Sequence, residues 1–195
     1  MVRQSMRNMG RIAPKHWRQL WGRLSGRPLC VVLGSAGIAD EGWIATDQDQ
    51  LDILVDDDWR RNFQVECVDA ILAEHVWEHL TEEQGLTAAQ HCYRYLKPGG
   101  YARVAVPDGL HPNPEYIEAV RPGGTGPGAE DHKVLFTYRT FRALFEKAGF
   151  DVHVLEYFDE EGRFHAEHWD VDGGTIRRSR RFDPVPRRRA PSRLP

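Results

Sequence analysis

The stretch from Val68 to Asp108 constrains the fold more than any other part of the chain. It reads as an apolar run, a polar tip, a capped helix, a glycine turn and a second β-rich run, the order that builds an open parallel sheet with ligands at its strand tips. Val68–Ala73 stops abruptly at Glu74 and His75, as a buried strand does on reaching a solvent-facing edge. Thr81 and Gln84 have capping-box spacing, so each side chain can satisfy an otherwise unpaired N–H of the first helical turn. Leu86, Ala89, Tyr93 and Leu96 follow at helical intervals and predict the face laid on the sheet. Pro98, Gly99 and Gly100 end the helix, and Tyr101–Val106 forms a strand closing at Pro107 and Asp108.

Two shorter strands precede this unit. Leu29–Leu33 leads into Gly34, Ser35, Ala36 and Gly37, where glycines let the backbone approach a ligand closely; a tight loop is the plain alternative. Trp43–Thr46 ends at Asp47, whose carboxylate can accept hydrogen bonds from both hydroxyls of a ribose; a turn-forming Asp in TDQDQ reads equally well. Some nine residues separate these two strands. Parallel neighbours usually need a crossover of a dozen or more, so the usual helix must be shortened to a loop.

Taken in order, VVLGSAG, GWIATD, LDI, DAILAEHVWEHL, LKPGG, VAVPD, DHKVLFTYRTFRALFEKAGF and IRRSRRFD resemble the class I S-adenosylmethionine-dependent methyltransferases, most closely their small type 11 group, over about Leu29 to Asp183. The resemblance implies an α/β Rossmann-like open twisted sheet of about seven mostly parallel strands, with an antiparallel edge strand and helices on both faces. It also implies S-adenosyl-L-methionine as cofactor, held by Gly34, Ser35, Gly37, Asp47, Asp52 and Glu74, with Asp47 on the ribose and the Leu51–Ile53 strand tip beside the adenine. Val32 stands where the family commonly has an acid, and Ala36 where it has its middle glycine. The acceptor is expected to be a small molecule, such as a saccharide or metabolite hydroxyl. Proton removal from it falls to His75 or His132, with His111 a third candidate. The Pro- and Gly-rich insertion at 109–132 reads as a lid or acceptor loop without regular structure, in which Tyr116 either contacts the acceptor or pins the loop.

Rival readings come from other residues. His75–His79 matches the H-x-x-E-H string of zinc peptidases, in which two histidines on one helical face grip zinc and Glu78 acts as base. The string follows a strand tip instead of lying inside a long helix, so zinc hydrolysis stays a remote alternative and no metal is assigned. Asp56–Asp58 reads as a solvated acidic loop, and strand alternation separates His165 from His168.

Charge is segregated. Residues 1–27 carry seven Lys or Arg and no acid, residues 177–195 carry eight Arg against one Asp, and the body between holds a net charge of -17. The domain reading is a basic segment at 1–28 forming a helix over the sheet, a methyltransferase-like domain at 29–183, and a disordered Arg/Pro tail at 184–195. Basic ends allow contact with nucleic acid or an anionic surface, and with it an inert scaffold working through a partner. Oligomeric state is not legible. Three scattered cysteines, no apolar run of membrane length and a start without a secretion core point to a reducing cytoplasm.

Overall fold

Four parallel strands form the centre of the computed structural model, which describes residues 28–39 and 41–167. They are β1 (Cys30–Leu33), β2 (Trp43–Thr46), β3 (Val68–Glu74) and β4 (Leu96–Ala105), in the spatial order β2-β1-β3-β4. A Rossmann-like α/β architecture is thus present. The antiparallel component is a separate pair, β5 (Glu156–Phe158) and β6 (Phe164–Ala166), and not an edge strand of the main sheet. The expected seven strands are therefore four plus two among the described residues. Of the expected run Val152–Phe158 only the last three residues are strand, because the Asp159–Arg163 turn pairs them locally with β6. The basic segment at 1–27 and the Arg-rich end lie outside the described residues, as does His168.

The first crossover is indeed compressed: the described residues between β1 and β2 form only bends and turns. Leu51–Ile53, expected as a strand tip, is irregular chain entering a turn at Ile53, with Leu51 and Ile53 buried in the core. Asp56–Asp58 do not form a loop but open helix α1 (Asp56–Asn62), where carboxylates complement the positive end of the helix dipole. Helix α2 (Glu82–Tyr95) starts on the expected capping box, with Thr81 N donating to Gln84 Oε1 (3.0 Å) and Gln84 N to Thr81 Oγ1 (3.2 Å).

Of the face expected for α2, Ala89 and Leu96 are buried and Leu86 packs on the core, whereas Tyr93 is exposed and meets Phe150 edge-on; Gly85, Ala88, Cys92 and Tyr95 complete the buried side. Small residues let this helix lie close to its neighbours, and Trp77 donates its indole N–H to the Gly85 carbonyl (3.0 Å). The LKPGG segment ends the helix but is itself carried in β4, where the register jumps from Val68↔Leu96 to Ala70↔Tyr101 and the intervening residues bulge outward.

The insertion holds a helix after all. Helix α3 (Pro114–Val120) fits between the breakers because Pro114 sits at its first turn, where no N–H is needed, and Asn113 caps it. Helix α4 (Tyr138–Lys147) follows, with Thr137 and Thr140 forming a second capping box. Helices α1, α2 and α4 all feed one core with Val31, Leu33, Ile71 and Ala73 of the sheet; Trp59 stacks on Tyr95 at 5.0 Å inside it. Val32 and Leu72 bury the opposite face with Ala39, Trp43 and Ala105, and no helix covers that face among the described residues. No helix among the described residues is long and apolar enough to cross a membrane.

Candidate functional site

Register aligns the strand tips. Leu33 pairs with Thr46 on one side and Ala73 on the other, so Gly34, Asp47 and Glu74 are the residues immediately beyond one paired row. The chain leaves β1 through Gly34 at φ +62°, Ala36 at +48° and Gly37 at +76°. A Cβ on Gly34 would lie 2.6 Å from Val76 Cγ2, so glycine lets the β1 and β3 tips close together. Around Gly37 a Cβ would meet nothing within 4 Å, which leaves the turn open on its outer side.

Ser35, Gly37 and Asp47 are brought together, though in a way the motif did not predict. Asp47 Oδ1 accepts Ala36 N (2.8 Å), and Oδ2 accepts Gly37 N (3.2 Å) and Ser35 Oγ (3.2 Å). The carboxylate thus fastens the turn, and of roughly four acceptor positions on a carboxylate three are taken. Asp52 turns inward on its own loop, accepting Leu54 N at 3.0 Å and Gln48 Nε2 at 3.4 Å, while its own N–H donates to Asp58. Glu74 closes β3, half-buried, in line with the row.

His75 follows at φ +57°, a left-handed conformation that the Gly34–Val76 contact and its own bond to β4 hold in place. Its N–H donates to Ala105 O (2.9 Å), and its Nδ1 lies 2.7 Å from Glu78 Oε1. Trp77–His79 is a single 3-10 turn, so His75 and His79 do not share an α-helical face and the peptidase geometry is not formed. His132 is tied to the insertion, its Nδ1 2.7 Å from Val120 O, and its ring meets that of His79 at 4.8 Å.

A cavity of about 920 Å³ runs along β4, with Asp108, His111, Tyr116, Tyr138, Tyr157 and Phe158 among its walls. Gly34, Ser35, Gly37, Asp47, Asp52 and Glu74 do not line it. It begins one strand away: Ala105, which receives the His75 N–H, belongs to both the cavity wall and the end of β4. Tyr116 pins the insertion, stacking on His111 at 4.1 Å and accepting the Asp108 N–H at 3.4 Å, and burial pushes its phenol up. Asp108 accepts Phe158 N (2.7 Å), joining the insertion to β5 across 50 residues that no local pattern connects.

Residues 38–104 match the family model described as "Methyltransferase domain". Among solved structures the chain is similar to a SAM-dependent methyltransferase from Archaeoglobus fulgidus, at 14% identity and a TM-score of 0.49, over 74% of this chain and 73% of that one. No curated protein matches the sequence. The matched segment contains β2, α1, β3 and α2 with the Asp47 and Glu74 tips, and over those residues the chain is similar to that methyltransferase domain family.

Proposed function

We propose that this chain methylates a hydroxyl of a small polar acceptor, of the saccharide or metabolite class, that enters along β4. The observation supporting this division of labour is His75, which stands between the Gly34–Asp47–Glu74 row and the aromatic cavity and is bonded to the wall of the latter. Aromatic walls with a few polar groups suit a ring bearing hydroxyls.

S-adenosylmethionine supplies, when bound, a methyl group on a good leaving group. The residues that would hold it are Gly34, Ser35, Gly37, Asp47 and Glu74, with Asp52 further along the same loop. Their fit rests on the open outer side of Gly37 and on the acceptor position that Asp47 retains. Both ribose hydroxyls can be served only if Asp47 gives up one of its turn contacts, Ser35 Oγ being the least costly. The chain's own task is then positional: to orient the acceptor oxygen and keep water out. His75, between the strand-tip row and the aromatic cavity, is the side chain placed to receive the acceptor's proton. His132 is held inside the insertion by its contact with the Val120 carbonyl.

Calorimetric titration with S-adenosylmethionine and S-adenosylhomocysteine tests the reading. Asp47→Ala is expected to weaken binding roughly 10- to 150-fold, the loss of a charge-assisted hydrogen bond. Ser35→Ala, which removes the neutral Oγ contacts with Asp47 and the Gly37 N–H, should weaken binding less than Asp47→Ala. His75→Ala should retain binding while turnover falls by about 10²- to 10⁴-fold with a monosaccharide found by screening for S-adenosylhomocysteine release. Absence of binding by the wild-type chain would leave the inert scaffold as the better account, and an unchanged affinity in Asp47→Ala would remove that residue from the site.

A further inference from the structure

We propose that Glu78, His79 and His132 form a binding site for a divalent transition-metal ion of the zinc class, which fastens the end of the 109–132 insertion to the turn after β3. One ligand atom from each of the three lies within 4.8 Å of the others. Zinc bonds to N and O of about 2.0–2.2 Å place tetrahedral ligands roughly 3.3–3.5 Å apart, so a bound ion would draw the three together by small side-chain rotations.

The independent sign of a missing partner is Glu78. It is 1% exposed, and neither of its carboxylate oxygens receives an aligned hydrogen bond. His75 Nδ1 is only 2.7 Å from Oε1 but off the alignment a hydrogen bond needs, so that contact does not satisfy the group. His79 Nδ1 is likewise buried without a hydrogen bond; the nearest carboxylate oxygen, Asp131 Oδ2, is 3.5 Å away. Buried polar atoms left unpaired are costly, and a cation among a carboxylate and two imidazoles answers all three at once.

The surroundings suit such an ion. His132 has its Nδ1 against the Val120 carbonyl (2.7 Å), the outer-shell contact that fixes a ligating histidine and leaves Nε2 to face a metal. Backbone bonds already hold the two segments in register, with Lys133 N (2.7 Å) and Val134 N (3.3 Å) donating to Glu78 O. Asp131, on the exposed rim, can complete the shell or leave it to water. The donor set, one oxygen and two imidazoles, suits zinc-class ions over calcium or magnesium. In the H-x-x-E-H string this makes Glu78 a ligand and His75 none, the reverse of the peptidase arrangement. The site does not depend on the identity of the methyl acceptor.

The experiment uses the untagged full-length chain, stripped with chelator and then titrated with Zn²⁺ and, separately, Co²⁺. One equivalent of zinc by elemental analysis is expected, with visible Co²⁺ bands of a four- or five-coordinate N/O site. Zinc at about 100-fold above its Kd should raise Tm by roughly 5–10 °C. Glu78→Gln and His132→Gln should each abolish the bound equivalent and the Tm response, whereas His153→Ala, at an exposed position outside the cluster, should keep both. Should one of the two cluster variants fail to fold, the other carries the comparison. Substoichiometric zinc with an unchanged Tm in the wild-type chain, or full retention of the metal in a folded Glu78→Gln, overturns the proposal.

Discussion

Gly34→Ala tests the closeness of the two strand tips on which the proposed cofactor row depends. Two costs add. The new side chain would hold φ +62°, and a left-handed conformation costs an L-residue about 1–2 kcal/mol. Its Cβ would also sit 2.6 Å from Val76 Cγ2, far inside the roughly 3.5–4.0 Å of an ordinary carbon contact. Forcing a methyl into a packed place costs about 1–3 kcal/mol. Against these stands the lower entropy of the unfolded chain, worth about 0.4–1 kcal/mol to the alanine variant. A net loss of roughly 1.5–4 kcal/mol is expected in urea unfolding. Because Val76 is half-buried against the core, a double-mutant cycle with Val76→Ala isolates the contact. Trimming Val76 removes the clash but not the backbone strain, so the double variant should be less damaged than the sum of the singles by about 1–3 kcal/mol. Additivity within about 0.5 kcal/mol would mean that Val76 does not close over Gly34, and the geometry of the row would have to be abandoned.

Two other perturbations probe the frame around the site. Cys92, on the buried face of α2, has its thiol pushed up to about 12 by burial, and Cys67 is buried as well. A thiol reagent at pH 8 should leave both intact in the native protein, admit at most slow reaction at half-buried Cys30, and count three thiols after denaturation; rapid native labelling of Cys92 would show that α2 is not seated. Asp159 is held well below the usual carboxylate range, first by its hydrogen bond with His165 (2.8 Å) and then by the backbone and guanidinium of Arg163, against the opposing effect of burial. A depressed carboxyl stabilises the fold fully above its unfolded value of about 4 and loses that contribution as pH falls toward the folded one. Amide protection in β5–β6 should therefore decline below about pH 4 ahead of the central sheet, and Asp159→Asn should remove this dependence; protection that is flat down to pH 2.5 would refute the assignment.

What was legible in the sequence is what one element decides for itself. Trp43–Thr46 and the Thr81–Gln84 box appear at the residues the pattern names, because a four-residue strand and a helix start are set by local chemistry. The exposure of Tyr93 on α2 was not legible. Its ring offers more apolar surface than Gly85, yet the close approach of Trp77 and Leu144 puts the glycine inside. Prolines read as breakers hid α3, although Pro114 falls at the one position where it favours a helix. The Glu78–His79–His132 cluster and the Asp108–Phe158 tie join residues some 50 apart, and only the fold reveals such pairs.

Asp47 shows why the proposed cofactor row and its departures from the pattern of the family it resembles belong to one physical problem. Glycine at position 36 would adopt φ +48° freely, whereas alanine must be kept there by something else. Asp47 does so, since its Oδ1 accepts the Ala36 N–H while Oδ2 takes Gly37 N and Ser35 Oγ. The carboxylate proposed for the ribose is therefore the one that fixes the strained turn. A ligand hydroxyl that takes over the Ser35 contact would leave the two backbone bonds in place, so the turn could keep its shape while the ribose is held. If Asp47 holds the ribose as proposed, cofactor affinity and turn stability are coupled through one side chain, and Ala36 raises the demand on it.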